Sequence, residues 1–97
     1  MPMNNTDKTL KDYMLRFFKQ LDMTDLATEV EVEHTYRRLV GTTISNHTVA
    51  LRYHAGTLYL TIITAALRQE LNMRRTSLMQ RINEELGKTA VKRIVVK

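Results

Sequence analysis

Residues 48–63 read Thr48-Val49-Ala50-Leu51-Arg52-Tyr53-His54-Ala55-Gly56-Thr57-Leu58-Tyr59-Leu60-Thr61-Ile62-Ile63. Apolar and polar residues alternate through 48–54, which sets Val49, Leu51 and Tyr53 on one face. They alternate again through 57–63, with Leu58, Leu60 and Ile62 on one face and Tyr59 and Thr61 on the other. Strict alternation is the mark of a half-buried strand. Ala55-Gly56, between the two runs, suits a tight turn whose residues take positive φ. The stretch predicts a β-hairpin with one face buried.

Upstream, residues 1–5 are expected to fray. Thr6 can cap a first helix from about Asp7 to Leu21. Leu10, Tyr13, Met14, Phe17, Phe18 and Leu21 recur along it at helical spacing, and this stripe predicts a face buried in the core. Val32, Tyr36, Leu39, Val40, Thr43 and Ile44 also follow a helical period. They predict a second helix starting between residues 24 and 32 and ending near Ser45 or Asn46. Gly41 inside it suggests the close approach of another element.

Downstream, Thr64 can cap a helical region over 65–86. Leu67, Leu71, Leu78, Ile82 and Leu86 form its stripe, and Gly87 suits a helix C-terminus. Residues 72–77 interrupt the stripe with Arg74 and Arg75. Either one long helix carries a basic turn, or two helices meet there with Ser77 as the second cap. Residues 90–96 predict a last short strand. The order is α-α-β-β-α-β, an α+β fold with a small three-stranded sheet packed by helices.

The chain has 97 residues, which allows one domain. It has no cysteine, which excludes disulfides, thiolate metal sites and a cysteine nucleophile. No apolar run is long enough for a membrane span, and residues 1–13 are polar, so the expectation is a soluble cytoplasmic protein. His34, His47 and His54 match no metal spacing, and no metal or other cofactor is expected. His47 is expected to cap backbone carbonyls, and His54 to be solvated. Ser45 and Ser77 sit in no nucleophile elbow, Glu84-Glu85 point apart on a helix, and no glycine-rich phosphate loop is present. No enzymatic activity is expected.

Charge says more. The net charge is +5, and it is uneven: residues 1–35 hold four basic and seven acidic residues, residues 36–97 eleven and three. Nine of the 15 cations are arginine, which pairs with phosphate in a fork and stacks on bases. Basic clustering of this kind is the footprint of a nucleic-acid binder. The candidate binding residues are Arg68, Arg74, Arg75 and Arg81 on the third helical region, Lys88, Lys92 and Arg93 after it, and Arg52 and Tyr59 on the outward face of the hairpin. Cations interleaved with an exposed tyrosine suit single-stranded nucleic acid, DNA or RNA. Arginines that only cover the core, and tyrosines that only pack into it, would give the same sequence. The acidic first third either packs beside the basic part or forms a separate protein-binding face. A protein-interaction module, homodimeric through a sheet edge or an apolar helix face, is the alternative function.

An ordered set of short motifs adds to this. Tyr36-x-x-Leu39-Val40-Gly41-x-x-Ile44-x-x-His47-Thr48 is followed by Gly56-x-Leu58, Thr64-Ala65-Ala66-Leu67-Arg68-Gln69-Glu70-Leu71, Ile82-Asn83-x-x-Leu86-Gly87 and Val91-x-x-Ile94. The set, from about residue 32 to 96, resembles the DciA family. Tyr36 stands where the family usually has tryptophan, and many members carry a tail beyond the last strand. The resemblance implies a K-homology (KH)-like domain that binds DNA and partners a DnaB-type replicative helicase. The KH phosphate loop would fall at Asn72-Met73-Arg74-Arg75, which has no glycine, so Arg74 and Arg75 side chains would replace backbone clamping. The resemblance also implies structural roles for Gly41, Leu71, Asn83 and Gly87: close packing, core, helix-end hydrogen bonding and the C-cap.

Overall fold

The computed structural model describes residues 6–20 and 24–97, with side chains in the first helix from Leu10 to Phe17. Its elements are α1 (Thr6–Gln20), α2 (Thr24–Val40), α3 (Thr42–His47), β1 (Thr48–His54), β2 (Thr57–Ile62), α4 (Ala65–Met73), α5 (Arg75–Leu86) and β3 (Arg93–Val96). The expected α+β order holds, with the second and third helical regions each broken in two. Leu21 and residues 1–5, where fraying is the expectation, lie outside the described residues.

The sheet runs β1-β2-β3. β1 and β2 form the expected hairpin, with Ala55 at φ 48° and Gly56 at φ 87° between the paired His54 and Thr57. Leu51, Leu58, Leu60 and Ile62 are buried on its inner face. β3 lies parallel to β2, Thr57 opposite Arg93 and Leu60 opposite Val96. A parallel neighbour needs a crossover, and α4 and α5 supply it.

Several expectations need correction. Val49 does not share a face with Leu51, because the register slips between Thr48 and Ala50 and leaves Val49 exposed at a bulge. Gly41 meets no other element: an added Cβ would find nothing within 4 Å. Its φ of 88° separates α2 from α3, a conformation that favours glycine. Ser77 caps no helix and Thr64 makes no side-chain capping bond; Arg74, at φ −112° and ψ 15°, ends α4 and starts α5. This early restart sets Leu78 and Ile82 in the core. The last strand begins at Arg93 rather than residue 90, because Val91 is bonded to Asn83 instead of to β2.

The stripe of α1 is not buried. Leu10, Tyr13, Met14 and Phe17 are 60%, 62%, 42% and 56% exposed, and Phe18 lies outside the described side chains. Helix α1 packs chiefly against α2, while α2, α4 and α5 already occupy the elements around the sheet. A helical stripe announces an apolar face, not a partner for it.

Tyr36 is fully buried at the centre of the core. Thr48 Oγ1 donates to Ile44 O at 2.7 Å, so the Tyr36 hydroxyl donates to Thr48 Oγ1 at 2.8 Å. Arg37 bonds Glu33 at 3.1 Å and Ser45 O at 2.8 Å, which fixes α3 against α2 across the Gly41 break. Leu71 is core, and Gly87, at φ 71°, is the left-handed C-cap of α5.

Tyr36→Ala should lower stability by about 3–5 kcal/mol, read by chemical denaturation. Burial pushes the Tyr36 hydroxyl above its usual 10.0, against the opposing pull of the Thr48 bond and Arg37. The unfolded chain therefore loses this proton first. The contribution is complete below pH 10 and falls away above it, so Tyr36→Phe should lessen alkaline destabilisation. Ala55→Gly, which relieves a positive φ, should raise stability by about 1 kcal/mol.

Candidate nucleic-acid interface

The two edges of the sheet differ. The β1 edge is closed by α2: Tyr53 N donates to Glu29 Oε2 at 2.8 Å and Ala55 N to Asp25 Oδ2 at 3.1 Å. Arg52 Nε also reaches Glu29 at 3.3 Å, and His54 Nδ1 lies 3.1 Å from Asp25. His54 is exposed, as expected, yet paired. The acidic first third thus packs beside the basic hairpin.

The β3 edge is the last of the sheet, with no strand beyond it among the described residues. Arg93 N and Lys97 N face β2, donating to Gly56 O at 3.2 Å and Leu60 O at 2.9 Å. Amides alternate along a strand, so those of Ile94 and Val96 face outward. Two contacts hold the strand there. The Asn83 side chain donates to Val91 O and accepts from Val91 N, both at 2.9 Å. Lys92 N donates to Gly56 O at 2.7 Å, and the Lys92 stem crosses Gly56 so closely that an added Cβ would sit 3.3 Å from its Cδ. The role of Asn83 is structural, as the resemblance implies, but its side chain clamps Val91 instead of capping its own helix.

Between this edge and the first turns of α5 lies a groove of about 290 Å³, lined by Arg75, Thr76, Met79, Lys92, Arg93, Ile94 and Val95. No acidic residue lines it. Arg75, Lys92 and Arg93 are exposed and form no ion pair among the described residues. Buried Ile94 and half-buried Met79 provide an apolar floor. Three open cations beside a row of free strand amides can hold an extended polyanion.

The remaining sequence candidates do not join this groove. Arg68 is half-buried, and its Nη1 donates to Ile62 O at 2.6 Å. Lys88 reaches Glu31 at 3.0 Å and Arg74 reaches Glu70 at 2.8 Å. Arg74 and Arg81 line a different, smaller hollow with Leu39, Val40, Leu71, Ser77 and Leu78. Arg52 and Tyr59 lie on the outward face of the sheet, beside α2. The sequence reading missed Thr76, Met79 and the free edge of β3. Met79 precedes the stripe residue Ile82 by three, a spacing that could have found it. Nothing in the sequence marks the free edge.

One other expectation can be placed. His47 Nδ1 bonds Thr43 O at 2.8 Å, the carbonyl contact anticipated for it. Among the described residues no group of three His, Asp or Glu could hold a metal ion, and no helix is long and apolar enough to cross a membrane.

A sequence model of one family, Dna[CI] antecedent, DciA, matches residues 9–96. The match begins well before residue 32 and so takes in α1 as well. A search of curated proteins finds no match.

Asn83→Ala should cost about 1–3 kcal/mol, because it leaves the Val91 amide and carbonyl without partners. Hydrogen exchange at Arg93 and Val95 should accelerate more than exchange in β1.

Proposed function

The chain belongs to the DciA family, and we propose that it is a non-enzymatic adaptor of a DnaB-type replicative helicase that holds a single strand of nucleic acid between α5 and β3. The observation that carries the reading is the set of three cations, Arg75, Lys92 and Arg93, that have no ion pair among the described residues and line one groove with no acid in its lining. A groove bounded by one helix and one strand edge suits one chain of nucleotides. Phosphates would meet the cations, and bases would lie over Met79 and Ile94. DNA is the expected polymer, as a partner of the helicase.

The topology supports the KH-like part of the reading. The β2-α4-α5-β3 unit, with β3 parallel to β2, puts the α4–α5 turn beside the last strand. In place of a glycine loop this turn offers Arg75 to the groove, while Arg74 faces away and pairs with Glu70. Phosphate recognition here would come from a side-chain fork in place of backbone amides.

A second reading, a protein-interaction module that dimerises, is favoured by the exposed Leu10, Tyr13, Met14 and Phe17 of α1. Under that reading Leu10→Glu/Met14→Glu converts a dimer to a monomer in sedimentation analysis, and nucleic acid does not bind.

Fluorescence anisotropy with a labelled single-stranded oligonucleotide, over a range of salt, tests the first reading. The wild-type chain should bind in a salt-sensitive way. Arg75→Ala/Lys92→Ala should keep its melting temperature and bind more weakly across all sequences. Its log–log salt slope should flatten by about 1.4, the counterion release of two phosphate contacts. Equal affinity of the two proteins would reject the groove as the binding surface.

A further inference from the structure

The outward face of the sheet carries exposed and half-buried side chains among the described residues, and the register fixes what stands on it. Residues opposite one another on neighbouring strands point to the same side. His54, Thr57 and Arg93 therefore form one row across the three strands, and Arg52, Tyr59 and Val95 form the next. Ala50 and Thr61 form a third, which Lys97 completes, since it bonds Leu60 and Ile62 on either side of Thr61. Cations thus stand on both outer strands, and Tyr59 stands in the middle of the middle row.

None of the three strands contains an acidic residue. The acids nearest this face, Asp25 and Glu29, lie along the β1 border and are already bonded to the hairpin. Arg52 gives only its Nε to Glu29, and its side chain is 79% exposed, so the rest of its guanidinium fork is open. A hollow of about 500 Å³ lies at this border, lined by Tyr59 and Arg52 together with Leu26, Tyr53, His54 and the two bonded acids, Asp25 and Glu29.

The tyrosines differ in what their hydroxyls do. That of Tyr36 is bonded to Thr48, and that of Tyr53 donates to Ala90 O at 2.7 Å. The hydroxyl of Tyr59 has no hydrogen-bond partner among the described residues, and its ring is only half buried. A central-strand tyrosine can serve the sheet alone, through its cross-strand pair with Arg52. That role explains the pair. It leaves unexplained the cations on the far strand and the hollow that Tyr59 lines.

We propose that this face is a second contact for a single strand, in which a base stacks on Tyr59 while Arg52 and Arg93 hold the flanking phosphates. The proposal rests on the single-strand reading above and extends it. Arg93 and Val95 belong both to the groove and to these rows, so a strand leaving the groove passes over the β3 edge onto the sheet. The groove supplies charge and the sheet supplies stacking.

The test separates the two surfaces by chemistry. Anisotropy is read with an oligothymidine about twelve nucleotides long, long enough to cross both surfaces, and with an abasic strand of the same length and charge. Wild-type protein should bind oligothymidine more tightly than the abasic strand. Tyr59→Thr, which keeps a strand-forming residue, should lose roughly tenfold in affinity for oligothymidine and none for the abasic strand. Tyr59→Phe, which keeps the ring, should bind both as wild type does. Arg75→Ala/Lys92→Ala should weaken both strands alike. Should Tyr59→Thr bind both strands as wild type does, while the groove variant binds them more weakly, the sheet contact is wrong and the groove stands. Wild-type protein that binds neither strand rejects both readings. Crosslinking of the unaltered chain to 4-thiothymidine reads the same contact without a substitution. Adducts within 57–62 support the proposal, and adducts confined to residues outside the three strands overturn it.

Discussion

The side chain of Asn83 bonds both the amide and the carbonyl of Val91, and the rest of the arrangement follows from that clamp. It stops the chain after α5 and the Gly87 turn, and delays strand pairing to Arg93. It also delivers Lys92 and Arg93 to the carbonyl of Gly56, where the parallel register with β2 is set. One carboxamide therefore helps fix which cations stand beside the open edge. Gly56 is the matching constraint on the other side: its positive φ makes the hairpin turn, and its missing side chain admits the Lys92 stem.

The second organising feature is the distribution of charge after folding. Helix α2 carries Asp25, Glu29 and Glu31 against His54, Arg52 and Lys88. Arg38 on the same helix pairs with Glu85 of α5 at 2.6 Å. These are largely exposed pairs, each worth little to stability. Their effect is positional. They quench cations around the β1 edge and the end of α5, and the open cations left behind gather at the β3 edge. Arg75, Lys92 and Arg93 at that edge are left without an ion pair among the described residues.

The hairpin and the helical stripes were legible because alternation and helical periodicity are local. Turn chemistry at Ala55-Gly56 and the C-cap at Gly87 were legible for the same reason. The bulge at Val49 was not, because it answers to the Tyr36–Thr48–Ile44 hydrogen bonds, which come from three separate elements. The exposure of α1 was hidden too, since amphipathicity names a face and not what covers it. At the site, the class of residue was legible and its availability was not. Glu29 lies 23 positions from Arg52, and Glu31 lies 57 from Lys88, so no local pattern tells which cations are already paired. Arg74 and Arg75 are neighbours in sequence, yet the break between α4 and α5 sends them to different grooves.

The central claim is that the open β3 edge, with the start of α5, is where a single strand binds. Titrating isotope-labelled protein with a short single-stranded oligonucleotide and following backbone amide shifts by NMR tests it most directly. The account predicts the largest shifts at residues 75–79 and 92–95, with Ile94 prominent because its amide points away from β2 and the residue lines the groove. Shifts confined to α1 and α2, with the β3 edge unmoved, would contradict it.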